Sequence, residues 1–220
     1  IINVPLTDQV LDLGAFSYVI TILWIVGITN ALNLIDGLDG LATGVAAISL
    51  ATIFVMSLIM GKITIMIITL VLFAAAMGFL IFNFYPARIF LGDSGSLYLG
   101  FMLATISILG FKNIAVVSFL FPIVILAVPI FDTLFAIVRR FRQGEAITGA
   151  DRGHLHHCFI AMGLSHRQTV LVIYGISILF GAAAIFISQV SLWSGLAILI
   201  GLLLITQVGI ELTGVIGDTR

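Results

Sequence analysis

Charge is what this sequence has least of. Only 9% of its 220 residues are charged and 61% are hydrophobic, where a soluble domain carries about 25% charged residues. That balance excludes a water-soluble globular class. The net charge of −1 gives no sign of nucleic acid, which is not expected as a partner. Cysteine occurs once, as Cys158, which excludes an internal disulfide framework and leaves an incidental small residue. Proline occurs four times. Pro86 is placed to end a helix, and Pro122 and Pro129 to kink one. An initiating methionine and a signal peptide are both lacking. The chain opens in what reads as mid-protein, so an N-terminal truncation is expected.

What is present is length without charge. Runs of about 20 apolar residues recur, which predicts an all-α, polytopic transmembrane helical bundle of about seven spans. The spans are expected over Ala15–Thr29 (with or without an extension through the Asn30 motif), Leu41–Met60, Ile63–Tyr85, Leu97–Phe111, Ile114–Val138, Thr169–Ser188 and Leu192–Thr213, in a single integral-membrane domain over residues 1–220. Residues 1–14 alternate apolar with polar and predict a small hairpin outside the membrane, and 139–168 a cytoplasmic loop. An odd number of crossings places the termini on opposite sides. Arg88, Arg139, Arg140, Arg142, Arg152, Arg167 and Arg220 then share one side, with Lys62 and Lys112 on the other. The positive-inside rule makes the arginine side the cytoplasm, with the N-terminus outside and the C-terminus cytoplasmic. Arg139, Arg140 and Arg142 suit anionic-lipid anchoring better than substrate binding.

Three polar elements fall on that same side. The first, N-A-L-N-L-I-D-G-L-D-G-L-A, holds Asn30, Asn33, Asp36 and Asp39 with Gly37 and Gly40. Ionisable groups at a membrane boundary are costly unless water, a cation or hydrogen bonds meet them, so the cluster marks a site. A three-residue spacing puts neighbouring members on one helix face but not the whole set. The second, F-L-G-D-S-G-S, places Asp93 where a helix can begin, with Ser94 or Ser96 as a cap. Asp93 there is either a cap itself or an oxygen ligand for a hard cation. G-D-S-G also occurs around serine nucleophiles, but no strand–turn–helix setting surrounds it here. The third, D-R-G-H-L-H-H, carries Arg152, His154, His156 and His157, a set open to zinc, to a diphosphate and sugar, or to plain solvation. Asp132, inside the fifth expected span, is a satisfied structural carboxylate or a group supporting the site. The residues leave both open.

These motifs, together with F-N-F-Y-P-A-R-I-F-L-G-D-S-G-S, P-I-F-D-T and H-L-H-H-C in order, resemble the polyprenyl-phosphate N-acetylhexosamine-1-phosphate transferases. Within them the chain is similar to the WecA/TagO branch, which uses undecaprenyl phosphate and N-acetylglucosamine 1-phosphate. The resemblance runs from near residue 15 to at least residue 175. It implies transfer of a sugar 1-phosphate, in this branch GlcNAc-1-phosphate, from a UDP-sugar to undecaprenyl phosphate, with release of UMP and with Mg²⁺ or Mn²⁺. That would be the first membrane step of teichoic-acid or O-antigen type polysaccharide synthesis, at the bacterial cytoplasmic membrane with the active site on the cytoplasmic face. It implies Asp36, Asp39 and Asp93 as catalytic, Asp93 and Asn33 at the metal, and Asn30, Asn33, Phe90, Arg152, His154, His156 and His157 in substrate binding. Phe90 matches an aromatic that stacks on uracil. Expected partners are the UDP-N-acetylhexosamine, the polyprenyl phosphate and membrane lipid, with a homodimer admitted. One departure stands out. The family carries an adjacent aspartate pair in an earlier cytoplasmic loop, and no Asp-Asp occurs here. That matches loss of the first spans, and the chain alone is expected to be inactive. The rival classes are a transporter, which would set its ionisable groups near mid-bilayer and often show repeats, and a non-catalytic membrane scaffold.

Overall fold

In a computed structural model, residues 2–3, 10–11, 14–111, 120–144, 154–190, 193–195, 197–198 and 200–202 are described. The expected N-terminal hairpin is present as two short antiparallel strands, β1 (Ile2–Asn3) and β2 (Val10–Leu11), with Ile2 opposite Leu11 and Asn3 opposite Val10. Everything else that is regular among the described residues is helical.

Among the described residues, five helices are long and apolar enough to cross a membrane: α1 (Phe16–Leu34), α2 (Leu41–Ile59), α3 (Ile63–Asn83), α4 (Gly92–Phe111) and, after three shorter helices, α8 (His166–Ile187). Small residues dominate the first half of α2, so neighbours approach it from every side. It buries residues from Leu41 through Ser57 and packs against α1, α3, α4 and α8. α1 and α3 instead turn large apolar side chains outward, among them Ile22, Leu23, Val71 and Ile81, as helices bathed in lipid do. Close packing is set by glycine. A Cβ on Gly100 of α4 would lie 2.7 Å from the Thr29 Cα of α1, and one on Gly181 of α8 would lie 2.4 Å from Thr52 Oγ1 of α2. Without a hydrophobic drive between helices in lipid, such small-residue crossings and buried hydrogen bonds carry the association. Trp24 Nε1 donates to Ser107 Oγ at 3.1 Å across α1 and α4, and Ser49 Oγ to the Ile125 carbonyl at 3.3 Å.

The fifth expected span is not one helix. Its described part divides into α5 (Leu120–Ile125) and α6 (Ala127–Gln143), with Leu126 between them at φ −101° and ψ 23°, off the helical region, while its N–H and carbonyl still bond four residues back and on. Pro122 and Pro129 flank that break, each lacking an N–H and crowding the turn before it. α6 then runs past Val138 to Gln143 and ends on Gly144 at φ +70°. The stretch expected as a loop therefore begins as helix, and it also holds α7 (Leu155–Ala161) and the first turn of α8. α8 starts at a capping box, in which Ser165 and Gln168 each satisfy the other's backbone N–H. Of the seventh expected span, residues 193–195, 197–198 and 200–202 are helical, and 203–213 lie outside the described residues.

Candidate functional site

α1 does not stop at Thr29. The helix carries on through the first polar motif to Leu34, so Asn30 and Asn33 lie on its last turns, while Asp36 and Asp39 lie in the turn that leads to α2. Gly40 closes this turn at φ +79°, a conformation a side chain resists. α4 starts at Gly92, five residues before the expected apolar span, with Asp93 in its first turn, where the sequence placed a helix start. There the helix dipole favours a negative charge.

The turn and the α4 start meet. Asn33 Nδ2 donates to Asp93 Oδ1 at 3.1 Å and to Ser96 Oγ at 2.8 Å. The Ser96 hydroxyl is spent on the carbonyls of Gly92 and Asp93 rather than on capping. Asp36 joins them electrostatically. Burial, and after it the charge of Asp93, pushes its carboxyl up to about 6. A carboxyl whose ionisation is disfavoured by a neighbouring carboxylate suits a divalent cation between the two. The Asn33 amide gives both N–H groups away here, and its Oδ1 accepts no hydrogen bond among the described residues. Hard oxygen donors of this kind fit Mg²⁺, which keeps waters and takes one or two protein oxygens. Among the described residues there is no cluster of three His, Cys, Asp or Glu side chains around a metal-sized space, so an all-protein zinc-type cage is not present there.

Asp39 faces elsewhere. Its Oδ2 accepts the Ala87 N–H at 3.0 Å, tying the turn to the α3–α4 loop. That loop is held again by Asn83, which accepts from Thr43 Oγ1 and donates to the Ile89 carbonyl, each at 2.9 Å. Phe90 projects from the same loop, 73% exposed, free to offer a ring face to a ligand. Asn30 is not brought in. Its Nδ2 bonds the Val26 carbonyl of its own helix at 2.8 Å.

The histidines arrive from α7. A Cβ on Gly37 would lie 2.5 Å from His156 Nε2, so the absence of a side chain at Gly37 is what lets the imidazole reach the aspartate turn. His156 is 2% exposed, and its Nε2 has no hydrogen-bond partner among the described residues. Burial first, and the neighbouring charge of His157 next, push it down to about 4. It is a neutral ring at physiological pH, not a cation. His157 is exposed with its ring 4.2 Å from that of His156. His154 is buried, and its Nδ1 lies 2.9 Å from Asp132 Oδ2. A small cavity beneath His156 is lined by Ile35, Leu41, Asp132 and Ile173. Arg152 lies outside the described residues.

Sequence reasoning missed the clasp from α8. The Tyr174 hydroxyl donates to the Gly40 carbonyl and sits where a Cβ on Gly44 would otherwise be. His166 stacks on Tyr85 at 4.5 Å, and the Arg167 guanidinium lies 5.8 Å from the Phe84 ring. A lone tyrosine within an apolar helix was the available signal, and without a partner in sequence it points nowhere.

So α1, α2, α4, α6, α7 and α8 converge on one rim. Residues 1–111 match the model of glycosyl transferase family 4. The chain is 48% identical over 217 residues to a probable undecaprenyl-phosphate N-acetylglucosaminyl 1-phosphate transferase of Bacillus subtilis, covering 98% of this chain and 61% of that protein. It is 40% identical to a decaprenyl-phosphate N-acetylglucosaminephosphotransferase of Mycolicibacterium smegmatis, covering 84% and 52% respectively. A phospho-N-acetylmuramoyl-pentapeptide-transferase of Staphylococcus aureus is 35% identical, with 84% and 56% covered. The chain thus spans between half and two thirds of the length of these relatives. With the family match lying across the aspartate turn and the Asp93 helix, the chain is a multi-pass membrane protein that belongs to glycosyl transferase family 4.

Proposed function

We propose that the protein of which this chain forms part transfers GlcNAc-1-phosphate from UDP-GlcNAc to undecaprenyl phosphate. An oxygen of the lipid phosphate bonds to the sugar-bearing phosphorus of the nucleotide, the bond from that phosphorus to the bridging oxygen breaks, and UMP leaves. The observation that carries the reading is the Asn33–Asp93 contact beside Asp36 at one end of the bundle. Both reactants are anions, and oxygen donors for a hard cation stand where the acceptor phosphate must sit, at the edge of the bilayer. Mg²⁺ or Mn²⁺, held by Asp93 and Asn33 with Asp36 beside them, would screen the phosphates and stabilise the leaving UMP. Asp39 keeps the turn against the α3–α4 loop, so Phe90 is held where a uracil can stack. His156 and His157 border the aspartate turn as nucleotide-sugar ligands. An acceptor confined to the membrane and a donor held at the rim react as an oriented pair.

The arginines of the α3–α4 loop and of the α6 and α8 ends support a cytoplasmic rim, an outside N-terminus and a bacterial inner membrane location, with further spans completing seven. The transporter reading is disfavoured because the ionisable residues cluster at helix ends rather than at mid-bilayer.

The deciding experiment is labelled UDP-GlcNAc with undecaprenyl phosphate in vesicles carrying the full-length protein. UMP release together with a lipid-linked sugar is expected. Uptake of label without UMP would make it a transporter, and neither would leave a scaffold.

A further inference from the structure

Asp132 is 6% exposed in α6, and nothing in the proposed transfer employs it. A buried carboxylate is costly unless its oxygens are filled. Here both are filled by adjacent residues of another element. Oδ2 takes His154 Nδ1 at 2.9 Å, and Oδ1 takes the Leu155 backbone N–H at 2.6 Å. Leu155 N–H belongs to the first turn of α7, where intrahelical bonds leave donors over. The residue before it, His154, makes no side-chain cap of its own. Asp132 therefore caps α7 from a different helix, 23 positions away.

The same carboxylate also selects a tautomer. An acceptor at Nδ1 holds the imidazole proton there and fixes the ring plane. The His154 ring lies parallel to that of His156, at 5.9 Å and 2°, and His156 in turn abuts Gly37 of the aspartate turn. From Asp132 the path to the aspartate turn runs through the His154 and His156 rings, beside the small cavity that Asp132 and His156 both line.

We propose that Asp132 is a positioning residue, which holds His154 as the Nδ1–H tautomer and pins the first turn of α7 to α6 so that the histidine turn meets the aspartate turn in one geometry. Its bearing on turnover rests on the transferase reading above, whereas its bearing on the histidine does not. A plain helix cap would predict less. Asp132→Asn separates the two, because an amide oxygen still serves Leu155 N–H while the amide Nδ2–H now faces His154. The ring must then accept at Nδ1 and carry its proton on Nε2.

The full-length protein, labelled with ¹⁵N-histidine and held in lipid, supplies the tautomer of His154 from its nitrogen shifts. UMP release gives kcat and KM, and thermal melting reports folding. Wild type is expected to show Nδ1–H and Asp132→Asn to show Nε2–H, with melting nearly unchanged and kcat/KM for UDP-GlcNAc down about ten- to a hundredfold. Wild-type kcat/KM in Asp132→Asn with the tautomer inverted would reduce Asp132 to a cap. A wild-type proton on Nε2 would remove the pairing, and that measurement needs no variant. Absence of UMP from wild type would count against the transferase reading alone, since the tautomer stays readable in the same sample.

Discussion

At the scale of single residues, the site is governed by what burial does to charge. His156 is held down to about 4, from an ordinary 6.5, by burial first and then by His157. A depressed folded-state value means that the folded protein holds fewer protons than the unfolded chain between those limits. Its contribution to stability is complete above about pH 6.5 and is lost as acid passes down through about 4. His156→Gln, which cannot charge, should therefore melt with a shallower pH dependence over that interval. Identical slopes in both proteins would mean that the ring is not buried neutral. Asp36 runs the opposite way. Its carboxyl, raised to about 6 by burial and by Asp93, favours the fold below its unfolded value near 3.8, and that help is lost as pH climbs through about 6. Asp93→Asn removes the like charge at nearly constant shape. In the full-length protein it should assemble normally yet lose Mg²⁺-dependent turnover by about a hundredfold or more. Turnover titrated against Mg²⁺, with melting as the folding control, checks this. A helix cap alone would tolerate asparagine, and near-normal activity would identify one.

At the scale of elements, glycines decide how closely the helices carrying the site come together. Gly44 gives up its side-chain space to the Tyr174 hydroxyl, which then reaches the Gly40 carbonyl. That bond locks α8 to the turn bearing Asp36 and Asp39. Tyr174→Phe keeps the ring and loses the donor, at a cost of about 1–3 kcal/mol if the carbonyl is left unmet. Melting should fall by that amount, and kcat should fall while KM for the lipid acceptor stays near wild type. Gly37→Ala tests the other contact. Its methyl would meet the His156 ring, and overpacking of this kind costs about 1–3 kcal/mol. The affinity for UDP-sugar measured by calorimetry should drop in this variant. Unchanged affinity would detach His156 from the nucleotide site.

At the scale of the whole molecule, the fold joins its helices at two rims. The ends of α1 and α3, the part of α6 around Asp132 and the starts of α2, α4, α7 and α8 share one rim, joined by Asn33–Asp93, Asp39–Ala87, Asp132–Leu155, Tyr174–Gly40 and Tyr85–His166. The α2–α3 turn is at the other, where Lys62 Nζ donates to the Gly110 carbonyl near the end of α4. In a background with Cys158 replaced by serine, cysteines introduced at Arg88 and at Thr64 should label from opposite sides of sealed vesicles. Labelling of both from one side would refute the arrangement. The exposed positions of these two residues make them accessible without disturbing the core.

The sequence alone determined the solvent of this protein, because apolar runs with 9% charge have nowhere stable to fold but lipid. It also determined the identity of the polar motifs, since ionisable residues are too costly at a bilayer edge to be incidental. It put Asn33 and Asp93, 60 positions apart, on one membrane side through the span count and the arginine asymmetry, and motif resemblance joined them as one site. What it did not carry were distances between helices. That Asp39 serves the Ala87 amide and that Tyr174 reaches the Gly40 carbonyl depend on neighbours that periodicity does not name. The task of Asp132 was likewise decided by tertiary structure, because a carboxylate inside an apolar run reads the same whether or not another helix begins beside it. Hydrophobicity is a property each residue brings with it, whereas a hydrogen bond between distant helices exists only once the packing has placed both partners.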